Sequence, residues 1–100
     1  MNKSIEKKLV KILNESDLNP KMDYLCKSYI GKEMILNYKE ASVYNYILDA
    51  YNKYEEVEKK YLKNLNIKNT IIMNKAIKDY DTSREVLCYL NQEAYMKLVD

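Results

Sequence analysis

The 100 residues include no histidine, no phenylalanine and no tryptophan, and only one glycine, one proline and one arginine. Each absence excludes something. Without histidine, the commonest general base near neutral pH and the commonest metal ligand are both missing. Serine and cysteine nucleophiles then have no imidazole to activate them. One glycine cannot build a glycine-rich phosphate loop. Arg84 is the sole guanidinium, so bidentate reading of guanine would rest on one side chain. Cys26 and Cys88 lie too far apart for a C-x-x-C site, and they suit a reducing compartment better than a disulfide framework. An enzyme therefore ranks last among the functional classes. No catalytic residue, cofactor or metal ligand is predicted.

Long apolar runs are missing too. No segment approaches the roughly 18 residues of a membrane span. The opening MNKSIEKKLVKIL is broken by Glu6, Lys7 and Lys8 and lacks the apolar stretch of a signal peptide. These features point to a cytoplasmic chain. Charge of one sign is also lacking. The net charge of +2, from 17 basic and 15 acidic residues, gives no general push toward nucleic acid, membrane or acidic partners.

What is present is lysine (16), asparagine (11), isoleucine (9) and tyrosine (11). All four have AT-rich codons, which points to a low-GC bacterium, its phage or an AT-rich parasite. Codon usage covers the abundance of tyrosine but not the absence of phenylalanine, whose codons are equally AT-rich. Six of the eleven tyrosines fall between Tyr38 and Leu65. Tyrosine buries its ring at the rim of a helical layer and keeps its hydroxyl in water or on a partner group. A tyrosine stripe therefore suits a thin helical bundle.

One domain with its own core fits this length. The spacing of apolar residues predicts an all-α fold of four to five helices packed around one long central helix, as a single domain over residues 1–100. Ser4 is expected to cap a first helix carrying Ile5, Leu9, Ile12 and Leu13 on one stripe. Asn19-Pro20 and Gly31 bracket Met22, Leu25, Cys26, Tyr29 and Ile30, whose spacings of three and four predict a second helix. Met34-Ile35-Leu36 is compatible with a strand, a linker or a helical turn. Asn37 and Glu40 resemble a capping box for the long helix, expected over 38–65. Asp49–Lys53, Glu55–Lys59 and Glu56–Lys60 support it as i,i+4 pairs. About 28 residues would span roughly 42 Å. A compact domain of this size has a radius of gyration of only about 13 Å, so the rod must run the length of the domain, kink or project. Its apolar arc holds Val43, Tyr44, Ile47, Ala50, Tyr51, Tyr54, Val57, Tyr61, Leu62 and Leu65. After a turn at 66–69, a short helix is expected over 70–80, although the β-branched run Thr70-Ile71-Ile72 is also compatible with a short strand. A second capping box, Thr82 with Glu85, should open a last helix reaching Val99, with Cys88, Tyr95 and Val99 on its outer side.

Few side chains remain as candidates for function. Tyr38 and Tyr46 point away from the long helix's apolar arc, and Tyr95 does the same on the last helix. Outward tyrosines are favoured interface anchors because a stiff ring gives large contact area at small entropic cost. Glu58 projects into the middle of the apolar arc. It either faces water where the helix has left the core or fixes register with a partner. Asp79-Tyr80-Asp81 suits helix-end capping. The first expectation for function is a small non-catalytic protein-binding module with a larger protein partner, or self-association through the long helix. In a narrower form it is a phage or mobile-element inhibitor of a host machine, in the manner of an anti-CRISPR protein. The alternative is a small dimeric nucleic-acid-binding regulator, weakened by lysines that are dispersed and offset by glutamates.

Overall fold

The computed structural model describes residues 2–99. The first helix, α1 (Lys3–Glu15), is capped by Asn2 rather than Ser4. The Asn2 Oδ1 accepts from the backbone N–H groups of Ser4 at 2.8 Å and Ile5 at 3.1 Å. The apolar stripe is as expected: Ile12 is buried, and Ile5 and Leu9 pack against the core.

The second predicted helix is not a helix. Residues Tyr24–Lys27 form strand β1, which pairs antiparallel with β2 (Glu33–Leu36) in the register Tyr24↔Leu36, Leu25↔Ile35, Cys26↔Met34 and Lys27↔Glu33. Both punctuation signals serve turns instead. The Asn19 Oδ1 accepts from the Lys21 N–H at 2.9 Å, and the Asn19 carbonyl accepts from the Met22 N–H at 3.1 Å, so Asn19-Pro20 starts a turn. Gly31 has φ +81°, the left-handed conformation that glycine adopts freely. It closes the hairpin turn between Ser28 and Lys32, where Ser28 N–H donates to the Lys32 carbonyl at 2.9 Å. The same left-handed glycine ends helices and turns hairpins, so its position alone does not separate the two. The fold is thus mostly helical with a small sheet, not purely α.

The capping box at Asn37 and Glu40 forms in both directions and opens α2 (Tyr38–Tyr61). Twenty-four residues at about 1.5 Å each make it roughly 36 Å long. It stops short of the expected Leu65, at a turn continued by the Asn64 N–H bond to the Tyr61 carbonyl at 3.1 Å. Its apolar arc has the predicted phase, but burial declines along it. Val43, Tyr44, Ile47 and Ala50 are buried, Tyr51, Tyr54, Val57 and Tyr61 are half-buried, and Leu62 and Leu65 beyond it are exposed.

Asn66 caps α3 (Ile67–Leu90), also of 24 residues, so the predicted break at Thr82 is absent. Ala76, Tyr80, Ser83, Leu87 and Leu90 continue one inward stripe straight through the supposed cap. Ser83 is fully buried and returns its hydroxyl to the Tyr80 carbonyl at 2.8 Å. The break falls at Asn91, which ends α3 and whose Oδ1 accepts from the Ala94 N–H at 3.0 Å to start α4 (Gln92–Val99). The side chain of Val99 lies outside the described residues. The expectation of one central helix gives way to two equal ones: α2 and α3 pair antiparallel, α1 lies against both, and α4 folds back on α3. The molecule measures 45 × 31 × 23 Å.

The core gathers at one end of this pair. Ile12, Met34, Leu36, Val43, Tyr44, Ile47, Val86, Leu87, Ala94 and Leu98 form a single buried cluster. Burying a large aliphatic side chain such as Leu36 or Ile47 contributes about 1.5–3 kcal/mol. Every buried residue of α2 lies between Ala41 and Ala50. The remaining turns of α2 run beside the first turns of α3 as a two-helix arm.

Candidate functional surfaces

Among the described residues, the hydroxyls of Tyr24, Tyr44, Tyr46 and Tyr54 bond within the chain. Tyr44 is 2% exposed, and its hydroxyl donates to the Lys27 carbonyl oxygen, tying β1 to α2. The Tyr24 oxygen accepts from the Asn19 N–H at 2.7 Å. The Tyr54 hydroxyl donates to Glu58 at 2.6 Å, which holds the phenol pKa above its ordinary value. The Tyr46 hydroxyl donates to the Asp79 carboxylate at 2.8 and 3.0 Å and accepts from the Lys8 ammonium at 2.9 Å.

Lys8, Tyr46 and Asp79 therefore join α1, α2 and α3 in one polar cluster, completed by an ion pair between Lys8 and Asp79. Burial disfavours the Lys8 ammonium, but its bonds to Asp79 and Tyr46 outweigh burial, and its pKa is raised. Burial likewise disfavours the Asp79 carboxylate, and the Lys8 and Tyr46 bonds again prevail, so its pKa is lowered. Both charges persist across the neutral range. Asp79, expected at a helix end, is mid-helix because α3 runs on.

A second chain of side chains crosses four segments. Tyr29 in the hairpin turn stacks on Tyr51 of α2 with ring centroids 5.3 Å apart, and Tyr51 on Tyr80 of α3 at 5.5 Å, both tilted. The Arg84 guanidinium lies 5.1 Å from the Tyr80 ring and 5.8 Å from the Tyr95 ring on α4. Such contacts are worth about 0.5–1 kcal/mol each where exposed. The single arginine is thus occupied by aromatic packing.

The four side chains singled out from sequence are not brought together. Tyr46 is half-buried in the Lys8–Asp79 cluster, correcting the expectation that it points outward. Tyr95 is half-buried beside Arg84 and packs against the core, a second correction. Tyr38 is half-buried at the start of α2. Glu58 is half-buried on the arm and accepts from Tyr54 within its own helix.

Two surfaces went unnoticed in the sequence. The first is the outer face of the hairpin. Leu25 and Ile35, directly opposed in register, are 65% and 72% exposed. Each is the middle of an apolar triplet, Tyr24-Leu25-Cys26 and Met34-Ile35-Leu36, and such continuous runs are the pattern of strands covered on both faces. Here one face is covered. Beside it, a groove of about 430 Å³ runs along Glu33–Leu36 and is walled by Asn91, Glu93, Ala94 and Lys97. The signal was available: Met34-Ile35-Leu36 was compatible with a strand, and a strand needs a neighbour, which the triplet at 24–26 could supply. The second surface is a groove on the arm, floored by Ala50, Val57, Ile72 and Ala76 and rimmed by Lys11, Lys53 and Lys75. Its lysines come from three helices, so no sequence window contains it.

No known protein family, curated protein or solved structure matches this chain. Among the described residues, no group of three or more cysteine, aspartate or glutamate side chains is placed to hold a metal ion, and no helix is long and apolar enough to cross a membrane.

Proposed function

We propose that the chain is a non-catalytic protein-binding module that docks through the outer face and free edge of its hairpin. The observation that carries this reading is the opposed pair Leu25 and Ile35, left in water on a sheet whose other face packs against the core. Leaving two large aliphatic side chains exposed forgoes about 1.5–3 kcal/mol for each that a cover would return. β2 has one neighbouring strand, so its other edge offers unpaired backbone groups. An extended segment of a protein partner fits both features: it adds its backbone to β2 and places side chains in the adjoining groove.

In a narrower form the module is a phage or mobile-element inhibitor that acts by occupying a surface of a host machine, as anti-CRISPR proteins do. Small size, AT-rich composition and the lack of histidine support it. Two unpaired cysteines, Cys26 and Cys88, support a cytoplasmic setting. The original anchors, Tyr38, Tyr46, Glu58 and Tyr95, hold secondary places here, since Tyr46 and Glu58 already spend their polar groups inside the chain.

The test is a comparison of wild type with a Leu25→Lys, Ile35→Lys double variant. Both positions are exposed, so the fold should persist. A partner captured by wild type is identified, purified and titrated against both proteins. We expect the variant to bind at least about tenfold more weakly. Equal affinity would remove the hairpin as the docking face.

A further inference from the structure

We infer that the lysine-rimmed groove on the α2–α3 arm receives an acidic amphipathic helix from a partner protein. It shares no residue with the hairpin surface and does not depend on it. The groove has a volume of about 360 Å³ and lies where α1, α2 and α3 meet. Lys11, Lys53 and Lys75 belong to α1, α2 and α3, and none takes part in the ion pairs made among the described residues. The expected Asp49–Lys53 pair is not among them. Asp79 is the one carboxylate in the lining, and it is held by Lys8. Lys11 also lies within Coulombic reach of Asp79. With Asp79 paired to Lys8, the three lysines leave the rim net positive over its aliphatic floor. A cleft of net positive charge concentrates anions.

The floor selects among anions. Half-buried Val57 and Ile72, with the buried Ala50 and Ala76 beneath them, offer apolar surface that a lone phosphate cannot use. A nucleic acid would want a free aromatic face or arginine for its bases. The only aromatic ring in the lining is Tyr46, and the Lys8 ammonium sits 4.8 Å from its centroid. An amphipathic helix matches both parts: apolar side chains at i, i+3 and i+4 meet the floor, and flanking carboxylates meet the lysines. The alanines keep the floor low enough for a helix to approach, as α1 already does farther along the same pair.

The experiment titrates the full chain with a synthetic amphipathic helix of about 14 residues, leucine on one face and glutamate at its flanks, followed by amide chemical shifts. Parallel titrations use the same peptide with lysine for glutamate, inorganic phosphate, and a random DNA duplex. Three proteins are compared: wild type, the Lys11→Gln, Lys53→Gln, Lys75→Gln triple variant, and the Leu25→Lys, Ile35→Lys double variant. The lysines make no ion pair among the described residues, so the triple variant should fold normally, which circular dichroism checks. We expect the acidic peptide alone to shift residues around Ala50, Val57, Ile72 and Ala76, with affinity falling as salt rises. The triple variant should weaken it by at least about tenfold, and the hairpin variant should leave it unchanged. The inference is overturned if the acidic peptide does not bind, if the triple variant binds it equally, or if the hairpin variant abolishes binding. It is also overturned if the basic peptide, phosphate or DNA binds as well as the acidic peptide.

Discussion

Tyr44, Tyr46, Tyr54 and Tyr24 explain at the residue scale why this chain places its rings on tyrosine. Each hydroxyl completes a bond that phenylalanine could not make, and two of them, on Tyr44 and Tyr46, fasten separate elements together. Buried and half-buried positions with a reachable polar group favour the phenol over the bare ring. The Lys8–Tyr46–Asp79 cluster gives the sharpest prediction. A carboxylate whose pKa is lowered on folding stabilises above its unfolded pKa of about 4 and loses that contribution as pH falls through the folded value. A lysine whose pKa is raised stabilises below about 10.4 and loses its contribution as pH climbs through the folded value. At pH 7 both contributions are intact. Asp79→Asn should cost about 1–3 kcal/mol there in urea unfolding, and should flatten the acid side of the stability profile relative to wild type. An Asp79→Asn protein that keeps the wild-type acid limb would show that other carboxylates govern it.

Boundaries decide the behaviour of the elements. Asn91 serves two helices, closing α3 and capping α4, and its side-chain amide also donates to Glu40 at 3.2 Å. Asn91→Ala should cost about 1 kcal/mol and loosen α4, measured as a lower urea midpoint with an unchanged slope. An unchanged midpoint would mean that packing of Ala94 and Leu98 holds α4 without its cap. The helix starts at Asn37 and the α2 apolar arc were legible because both depend on neighbours within a few residues. The hairpin was not. Met22, Leu25, Cys26, Tyr29 and Ile30 satisfy a helical period by their spacing, yet Met22, Leu25, Tyr29 and Ile30 are all exposed. The pairing that stabilises β1 comes from β2, across a turn, and no local propensity reports it. The capping box at Thr82 failed for the complementary reason. Its residue types are right, but the inward stripe through Ser83 gains more from staying helical against α2 than a break would give.

At the scale of the whole molecule, burial is graded. α2 is packed from Ala41 to Ala50 and less covered beyond, where Tyr51 still meets Tyr29 of the hairpin turn and the following turns have mainly α3 beside them. Local stability follows buried contacts. Amides at 51–61 and in the first turns of α3 should exchange with deuterium faster than those at 43–50 and 83–87, read by mass spectrometry of peptides. Uniform protection along α2 would mean that the arm is as stable as the core end. The two proposed surfaces sit in different parts of this layout. The hairpin face adjoins the rigid core, while the lysine groove opens on the arm, where a bound helix would add the missing third layer.

By itself the sequence determined the helical character and the start and apolar phase of α2. These follow from composition and from contacts one or two turns apart. Tertiary structure alone decided that Tyr24–Lys27 is a strand, that α3 runs unbroken past Thr82, that Tyr46 turns to Lys8 and Asp79, and that three lysines meet around one groove. Each depends on a partner many residues away, and the free energy of such a contact belongs to the pair and is invisible in either segment.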